Sequence, residues 1–398
     1  MNLLVKDKCF YKKMAVIAIP ISLQSMITIG VNMTDTVMVG KLGETSLSAT
    51  ALANQFVNIY QICCMGIAMG ASVLTSRFWG MQDITSLKKT ITLMLRLCIV
   101  LAVLFMLPTI LIPQLLMRMY TNDSAVIAQG VQYFKWMVYC YFLQGMTMTC
   151  TIVLRSVGQV NFPLFTSIGS FFVNILFNYM FIFGKLGVPR MEVEGAGVGT
   201  LIARVFEFSL ICGYFLFVDR KIGYRLKDLR MKCNSLIKDY VSISIPVFVS
   251  DSLLALGTSA VAMVMGRIGT GFVSANSITV VTQQLTTVII QGICHASCIM
   301  TGHTLGHGER EKAQQQAWTF LILGLVVGIL GGGLIKVLSR PIIGLYNITP
   351  ETAQIAGELM DAIAFIVIFQ SMNSILTKGV LRGGGDTKFL RQNHSDRK

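Results

Sequence analysis

The chain alternates long apolar runs with short polar segments, and this pattern predicts its secondary structure. About 20 apolar residues in a helix cross the hydrocarbon core of a membrane. Ten runs of this kind occur, at 14–38, 47–76, 90–112, 125–154, 161–184, 195–218, 237–265, 271–302, 316–338 and 351–381. The pattern therefore predicts an all-α integral membrane protein with ten membrane spans.

The composition supports this prediction and excludes other classes of protein. Of the 398 residues, 54% are hydrophobic and 13% are charged, against roughly 25% charged residues in a soluble domain. A water-soluble globule, a disordered chain and a coiled coil are therefore excluded. The ten cysteines have no paired CxxC spacing, which favours small apolar side chains over a metal site or disulfides. No Walker sequence is present, so ATP is not expected to drive the protein directly.

Lysine and arginine lie mainly in the polar segments, and their distribution predicts the orientation in the membrane. The net charge of +14 is attributed to topology and not to nucleic-acid binding. With the N-terminus inside, the inner segments hold 22 basic residues and the outer segments hold 7. This bias predicts a multi-pass protein of the plasma (inner) membrane with a cytoplasmic N-terminus.

The sequence matches itself at a spacing of about 226 residues. Gly40-Lys41-Leu42-Gly43 aligns with Gly266-Arg267-Ile268-Gly269 at 226, and Leu154-Arg155 aligns with Leu381-Arg382 at 227. Two homologous halves that start on the same side of the membrane are parallel repeats. The predicted domains are an N-terminal six-helix lobe at 1–218, a basic cytoplasmic connector at 219–236 that acts as a hinge, and a C-terminal lobe at 237–398.

The C-terminal lobe is expected to be incomplete, with about four spans. Its repeat predicts two further spans, the counterparts of 161–184 and 195–218. A truncated or frameshifted chain is the favoured interpretation, and a genuinely smaller second bundle is the alternative.

Several short motifs occur in an order that is typical of one transporter family. They are Pro20 followed by Asp35-Thr36-Val37-Met38-Val39-Gly40-Lys41-Leu42-Gly43, Trp79-Gly80 with Asp83, Leu154-Arg155-Ser156-Val157-Gly158, Asn174 to Gly184, Gly195-Ala196-Gly197 with Thr200 and Ala203-Arg204, and Leu381-Arg382-Gly383-Gly384-Gly385-Asp386-Thr387. In this order and spacing the chain resembles the multidrug and toxic-compound extrusion (MATE) family of cation-coupled efflux transporters. The resemblance implies two lobes of six spans each.

Carboxylates inside the spans are the first candidates for chemistry, because an acid at mid-bilayer costs about 2.5–3.5 kcal/mol and needs a partner or a function. Asp35, toward the outer end of the first span, is a candidate for reversible protonation or Na⁺ binding. A helix cap near the interface is the alternative. The resemblance implies that Asn174, Asn178 and Thr200 complete a cation site with it. Some family members carry Asp where this chain has Asn178, so the identity of the ion stays open.

The second half contains a different set of candidate acids. Asp251 lies midway along the seventh span, and its counterpart in the first half is Ser25. The resemblance implies a cation-binding acid at Asp251 and another at the position of Asn373. Asp361, on the same span as Asn373, is a candidate substitute for the second acid, or it faces interfacial water.

A site for amphipathic organic cations needs apolar and aromatic walls with a few polar groups and adaptable side chains. The candidates for lining such a substrate cavity are Met33, Gln55, Asn58, Tyr60 and Gln61. For Met33 and Tyr60 the alternative is a side chain that faces lipid or fills the helical bundle. For Gln55, Asn58 and Gln61 the alternative is hydrogen bonding between helices.

Two further patterns receive structural interpretations. Arg204 and Glu207 are three residues apart on the sixth span and are expected to pair on one helical face. Gly195-Ala196-Gly197-Val198-Gly199 resembles part of a dinucleotide loop, but it opens a membrane helix with no strand before it.

We expect a secondary antiporter, not an enzyme, that exchanges entering Na⁺ or H⁺ for a leaving organic cation or other amphipath. No cofactor is expected besides the coupling ion. The expected partners are a small amphipathic or cationic substrate and membrane lipid, with no nucleic acid, and the expected state is a monomer, with an oligomer left open. The alternatives are a flippase for lipid-linked precursors, which needs a cleft of basic residues, and a truncated remnant without transport activity.

Overall fold

Residues 4–5, 7–268, 270–344 and 350–385 are described in the computed structural model of the chain. The side chains at 44, 235, 277, 281 and 285 and most of those between 251 and 274 lie outside this description. In the described residues the fold is entirely helical. Its helices are α1 (Lys8–Gly40), α2 (Glu44–Gly80), α3 (Ile84–Leu111), α4 (Pro113–Arg118), α5 (Ser124–Ser156), α6 (Asn161–Phe183), α7 (Glu192–Gly213), α8 (Asn234–Ile268), α9 (Thr270–Gly306), α10 (Arg310–Ile343) and α11 (Pro350–Ser374).

Each of the ten apolar runs lies on one of the ten long helices, and the runs 90–112 and 161–184 extend one residue past the ends of α3 and α6. Two runs continue into π-helical turns, Tyr214–Val218 after α7 and Ile375–Leu381 after α11. Among the described residues, nine helices are long and apolar enough to cross a membrane. The prediction of an all-α, multi-pass membrane protein is therefore confirmed. The residues of α8 fall partly outside the described set.

The repeat is visible in where the helices begin. The four pairs of first residues are 226 positions apart: Lys8 and Asn234, Glu44 and Thr270, Ile84 and Arg310, and Ser124 and Pro350. Helix α1 contains Pro20 and helix α8 contains Pro246, which stand at the same spacing. The two halves therefore share one helical frame, in which α8, α9, α10 and α11 repeat α1, α2, α3 and α5.

A π-helical turn explains why the repeat spacing changes from 226 to 227 near the C-terminus. A π-bulge adds one residue to an α-helix without ending it. The turn Ile375–Leu381 follows α11, whereas its counterpart in the first half is regular α-helix up to Ser156. The extra residue is thus inserted before Arg382, which consequently aligns with Arg155 at 227.

The chain divides into two compact units, each with its own core. The N-terminal unit comprises Ile27–Thr75 and Asp83–Phe248, and the C-terminal unit comprises Met1–Met26, Ser76–Gln82 and Val249–Lys398. Fully buried side chains of the first core include Tyr60, Met117, Phe134 and Tyr141, and those of the second include Phe320, Met360 and Val367. The predicted lobe boundaries at 218 and 237 stay a prediction, since the units are assembled from non-contiguous segments.

The connector after α7 is attached to α3 in the N-terminal unit. The ammonium group of Lys88 donates hydrogen bonds to the Gly223 carbonyl at 2.6 Å and to Asp228 Oδ2 at 3.0 Å. The guanidinium of Arg96 donates to the Leu229 carbonyl at 2.6 Å. Charged donors make the stronger hydrogen bonds, and they hold this stretch against the helix. Part of the connector is therefore fixed to the N-terminal unit, and its role as a hinge stays a prediction.

Candidate functional site

The N-terminal unit contains a cavity of about 340 Å³ between α1, α2, α5, α6 and α7. Its wall is polar along much of its length, which is unusual within apolar helices and marks the site. The polar wall residues that carry the argument are Asp35, Asn58, Gln61, Asn174, Thr200 and Arg204.

Asp35, which is half-buried on α1, faces two buried amides of α6. The Asn178 side chain donates a hydrogen bond from Nδ2 to Asp35 Oδ1 at 2.6 Å. The same Nδ2 lies 3.3 Å from Asn174 Oδ1, to which it also donates. Asn174 is 2% exposed and Asn178 is fully buried. The carboxylate thus accepts a short bond from a neutral amide, and the positive charge of Arg204 also acts on it from the same cavity.

The spacing of the two asparagines places them on one face of α6. Residues four apart on a helix lie one above the other, so Asn178 lies on the same side of α6 as Asn174, which lines the cavity. Helix α6 ends at Gly184 in the left-handed conformation, with φ of 65°. This end agrees with the usual glycine C-cap.

Glycines on α7 allow that helix to approach the asparagines closely. A Cβ at Gly199 would lie 2.8 Å from the backbone nitrogen of Asn178, and one at Gly195 would lie 2.6 Å from the carbonyl carbon of Phe181. Gly197, two residues away from each, points elsewhere, toward Trp136 of α5. The glycine-rich segment is thus a packing surface between α7 and two neighbouring helices, and this contact brings Thr200 to the cavity wall.

An ion pair forms part of the same wall. Arg204 Nη1 lies 2.8 Å from Glu207 Oε2, and the two side chains are 29% and 13% exposed. The pairing of these residues on one face of the sixth predicted span is confirmed. Both residues line the cavity that contains Asp35, a location that the spacing of the pair alone does not predict.

The structure brings together most of the residues predicted for the first cation site and part of the predicted substrate wall. Asp35, Asn174 and Asn178 are joined by hydrogen bonds, and Thr200 lies on the same cavity. From the predicted substrate set, Asn58 and Gln61 line this cavity.

The other three members of the predicted substrate set lie away from this wall. Met33 is 47% exposed and Gln55 is exposed, and neither lines the cavity. Tyr60 is fully buried in the core, where its hydroxyl donates to the carbonyl oxygen of Tyr141 and its ring packs 5.3 Å from that of Phe105. Aromatic neighbours provide the partners for Tyr60, so the assignment of Tyr60 to the cavity is corrected to a packing role.

Sequence reasoning missed several cavity residues, notably Asn54 and Tyr133. The Tyr133 hydroxyl donates to Asn54 Oδ1 at 3.3 Å, and both residues line the cavity. Positions 54, 58 and 61 are spaced by four and three residues, which is the spacing of a single helical face. Applying that spacing to α2 selects Asn54 in place of Gln55.

The candidate residues of the second half are not assembled in the described part of the C-terminal unit. Asp361 is exposed and lies 3.8 Å from Lys336 Nζ, with side chains 58% and 72% exposed. Asn373 is also exposed. Asp251 belongs to α8, but its side chain lies outside the described residues, so its role stays a prediction.

Basic residues inside the spans are engaged at separate places. Arg96 binds the connector, Lys135 lies 4.0 Å from Glu194, and Arg204 pairs with Glu207. The basic cleft expected of a flippase for lipid-linked precursors is therefore not formed by these three residues. Among the residues that the structure describes, no cluster of three or more His, Cys, Asp or Glu side chains could hold a metal ion.

The long apolar helices repeat one frame, and the N-terminal unit contains a polar cavity with an acid on its wall. These features define a class of protein, the helical membrane transporters with internal repeats. The MatE family model matches residues 20–180 and 246–390. The chain therefore belongs to the MatE family, and it is a transporter of the multidrug-efflux type and not an enzyme.

Curated relatives agree with this assignment. "Probable multidrug resistance protein NorM" of Agrobacterium fabrum is 24% identical over 394 residues, covering 95% of this chain and 82% of that protein. "Uncharacterized transporter YisQ" of Bacillus subtilis is 24% identical over 362 residues, covering 89% and 78%.

Two solved structures have the same fold. A mutant of the Vibrio cholerae MATE transporter VcmN has a TM-score of 0.88 at 16% identity, covering 96% of this chain and 85% of that chain. A MATE transporter in complex with MaL6 has a TM-score of 0.84 at 20% identity, covering 95% and 84%.

Proposed function

We propose that this protein is a secondary antiporter that exports organic cations or other amphipathic drugs in exchange for Na⁺ or H⁺, and that Asp35 binds the coupling ion. The observation that carries the proposal is the Asp35 carboxylate on the wall of a polar cavity, hydrogen-bonded to the buried amide of Asn178. An acid within a membrane bundle is costly unless it has a function.

A second observation concerns the oxygen atoms near the acid. Asn178 Oδ1 is buried and has no hydrogen-bond partner among the described residues. Oxygen donors of carboxylates and amides suit hard cations. Rotation of the Asn178 amide would direct this oxygen toward Asp35, where it would join Asn174 Oδ1 and the hydroxyl of Thr200 around Na⁺. Proton binding at Asp35 needs no such rearrangement, so both ions remain within the proposal.

Coupling follows if the ion and the drug favour different conformations. A ligand shifts an equilibrium only through its different affinities for the two states. In the proposed cycle, loading Asp35 with a cation neutralises the acid and lowers the affinity of the cavity for a cationic drug. Drug release and ion entry are thus linked by one charge.

The location of the protein forms part of the same proposal. The excess of basic residues in alternate polar segments supports a cytoplasmic N-terminus in the inner membrane. The names of the NorM relatives support drugs as the cargo. A monomer that contacts lipid, binds no nucleic acid and needs no cofactor completes the proposal.

The test uses the full chain reconstituted in vesicles, with drug uptake driven by an imposed Na⁺ or pH gradient. Asp35→Asn keeps the size of the side chain but removes its charge, so gradient-driven transport is expected to fall to the level of empty vesicles. Glu358→Gln on α11 is the control, because Glu358 is exposed and bonds only within its own helix in the described contacts. Normal gradient-driven transport by Asp35→Asn would overturn the proposal.

A further inference from the structure

The cavity of the N-terminal unit contains more than one acid. Asp35, Arg204 and Glu207 all line it. Glu207 lies 2.8 Å from the guanidinium of Arg204, whereas Asp35 is bonded at 2.6 Å by the neutral amide of Asn178. The two acids of one cavity are thus held in different ways.

The remaining titratable groups near this wall do not change its charge. Tyr133 lines the cavity and donates its hydroxyl to Asn54, and a phenol ionises only at about pH 10. The buried thiol of Cys140, on the same helix, bonds to the Trp136 carbonyl at 3.9 Å. With both acids ionised and Arg204 protonated, these described groups leave one net negative charge.

We infer that the pairing of Arg204 with Glu207 leaves Asp35 as the one acid of this cavity without an ion-pair partner among the described residues, so that the cavity takes up one positive charge per transport cycle. This inference rests on the proposed function of Asp35. Arg204 is here a residue that sets stoichiometry and does not itself bind the coupling ion.

The physical reason is the cost of an uncompensated charge. Removing one partner of a buried ion pair strongly destabilises the other, because the remaining charge keeps its desolvation penalty. A carboxylate in this position recovers that cost by binding a proton or a cation. Without Arg204, Glu207 would therefore become a second cation site on the same cavity.

The reverse change has a different effect. Without the Glu207 carboxylate, the guanidinium of Arg204 stays charged, because arginine is effectively always protonated. An unpaired positive charge on the wall repels an incoming cation. The apparent affinity of Asp35 for the coupling ion is therefore expected to fall, with no additional site created.

The experiment measures the dependence of transport on the coupling ion in vesicles for four variants. Arg204→Gln is expected to raise the Hill coefficient from about one to a value between one and two, since two sites set its upper limit at two. Arg204→Gln/Glu207→Gln is expected to restore a coefficient of about one, because the second acid is gone. Arg204→Lys retains the charge and should keep the Hill coefficient at about one. Glu207→Gln alone should shift the half-saturating ion concentration upward by about tenfold, which corresponds to about 1.4 kcal/mol.

A merely structural ion pair gives another pattern. It predicts that Arg204→Gln and the double variant both lose stability or turnover, while the Hill coefficient of the ion dependence stays at about one. That result would overturn the inference. If Arg204→Gln does not reach the membrane, the half-saturation of Glu207→Gln decides, and an unchanged value refutes the role of Arg204.

Parallel measurement of Asp35→Asn separates this inference from the proposed function. If ion-driven transport persists in Asp35→Asn, the proposed function itself is refuted. Transport that is lost in Asp35→Asn, together with an unchanged slope in Arg204→Gln, leaves the proposed function in place and refutes only the stoichiometric role.

Discussion

Helices α1, α2, α3 and α5 and their counterparts α8 to α11 begin at equivalent positions, yet they carry their acids at different ones. Asp35 of α1 corresponds to Val261 of α8, and Asp251 of α8 corresponds to Ser25 of α1. An acid needed by the helical frame itself would recur in both copies. The comparison therefore separates the repeated frame from the acids, which are specific to each half.

The helices that complete the cavity sharpen this difference. Helices α6 and α7 supply Asn174, Asn178, Thr200, Arg204 and Glu207, and the positions of their counterparts fall beyond residue 386, outside the described residues. The cavity of the N-terminal unit thus depends on helices that follow the four shared ones. Four predictions use this contrast between the units.

The largest expected effect contrasts Asn178 in the N-terminal unit with Asn373 in the C-terminal unit. Asn178→Leu removes the amide that donates to Asp35 at 2.6 Å. A hydrogen bond to a charged group contributes about 1.5–3 kcal/mol, so the apparent affinity for the coupling ion should change by about tenfold or more. Ion titration of drug transport in vesicles measures this change.

Asn373→Leu is the matched variant, since Asn373 is exposed on α11. Its ion dependence is expected to change by less than about twofold, as for other exposed positions away from a site. Equal losses in the two variants would show that both units contribute to ion binding and would break the comparison.

The second prediction concerns glycines that differ in their surroundings. A Cβ at Gly199 would lie 2.8 Å from the Asn178 backbone nitrogen, whereas one at Gly333 of α10 meets no atom within 4 Å. Gly199→Ala should destabilise the protein by about 1–3 kcal/mol through overpacking. Gly333→Ala should be neutral or stabilising by up to about 1 kcal/mol, because alanine favours helix. Thermal unfolding in detergent measures both, and an unchanged melting temperature for Gly199→Ala would contradict the close packing of α6 and α7.

The sequence predicts the helices well because apolar runs of sufficient length have few other ways to fold in a membrane. It also predicts the pairing of Arg204 with Glu207, since that contact is local to one helix turn. The bonds from Asn178 to Asp35 connect residues 143 positions apart, and the sequence indicates them only through the family resemblance.

Two features of the structure have physical causes that the pattern did not contain. Tyr60 was assigned to the cavity because of its residue type, but its neighbours Phe105 and Tyr141 form a buried aromatic cluster around it. The connector is basic and polar, and hydrogen bonds from Lys88 and Arg96 attach part of it to α3. Both outcomes depend on packing between segments distant in sequence.

The third prediction compares two polar pairs at helix ends, Lys88 with Asp228 and Lys312 with Glu309. Burial raises the pKa of Asp228, but hydrogen bonds from Lys88 and from the Arg225 amide outweigh it and hold the pKa below the usual 3.8. Such a group stabilises the fold above its ordinary pKa, and this contribution is lost as the pH falls through the folded value. Asp228→Asn should therefore lower the stability at pH 7 by about 1 kcal/mol.

The pH dependence identifies the cause of that loss. The difference in melting temperature between Asp228→Asn and the unmodified chain should stay constant from pH 7 to about 4, the ordinary pKa of an aspartate, and shrink as the pH falls below that value. Glu309→Gln is the control, because the Glu309 and Lys312 side chains are 47% and 60% exposed, and it should leave the melting temperature unchanged. A difference for Asp228→Asn that is independent of pH would attribute its effect to packing and not to charge.

The smallest expected effect belongs to Asp361, the acid of α11. Its carboxylate lies 3.8 Å from Lys336 Nζ, and both side chains are more than half exposed. Exposed pairs of this kind contribute about 0–1 kcal/mol, so Asp361→Asn should leave both stability and gradient-driven transport within measurement error. If Asp361→Asn instead uncoupled transport from the ion gradient as completely as Asp35→Asn is expected to do, the C-terminal unit would hold a coupling acid of its own. The two units would then no longer differ in whether they carry a coupling acid. Asp361, which is exposed here, would have to gain a partner in another conformation of the protein.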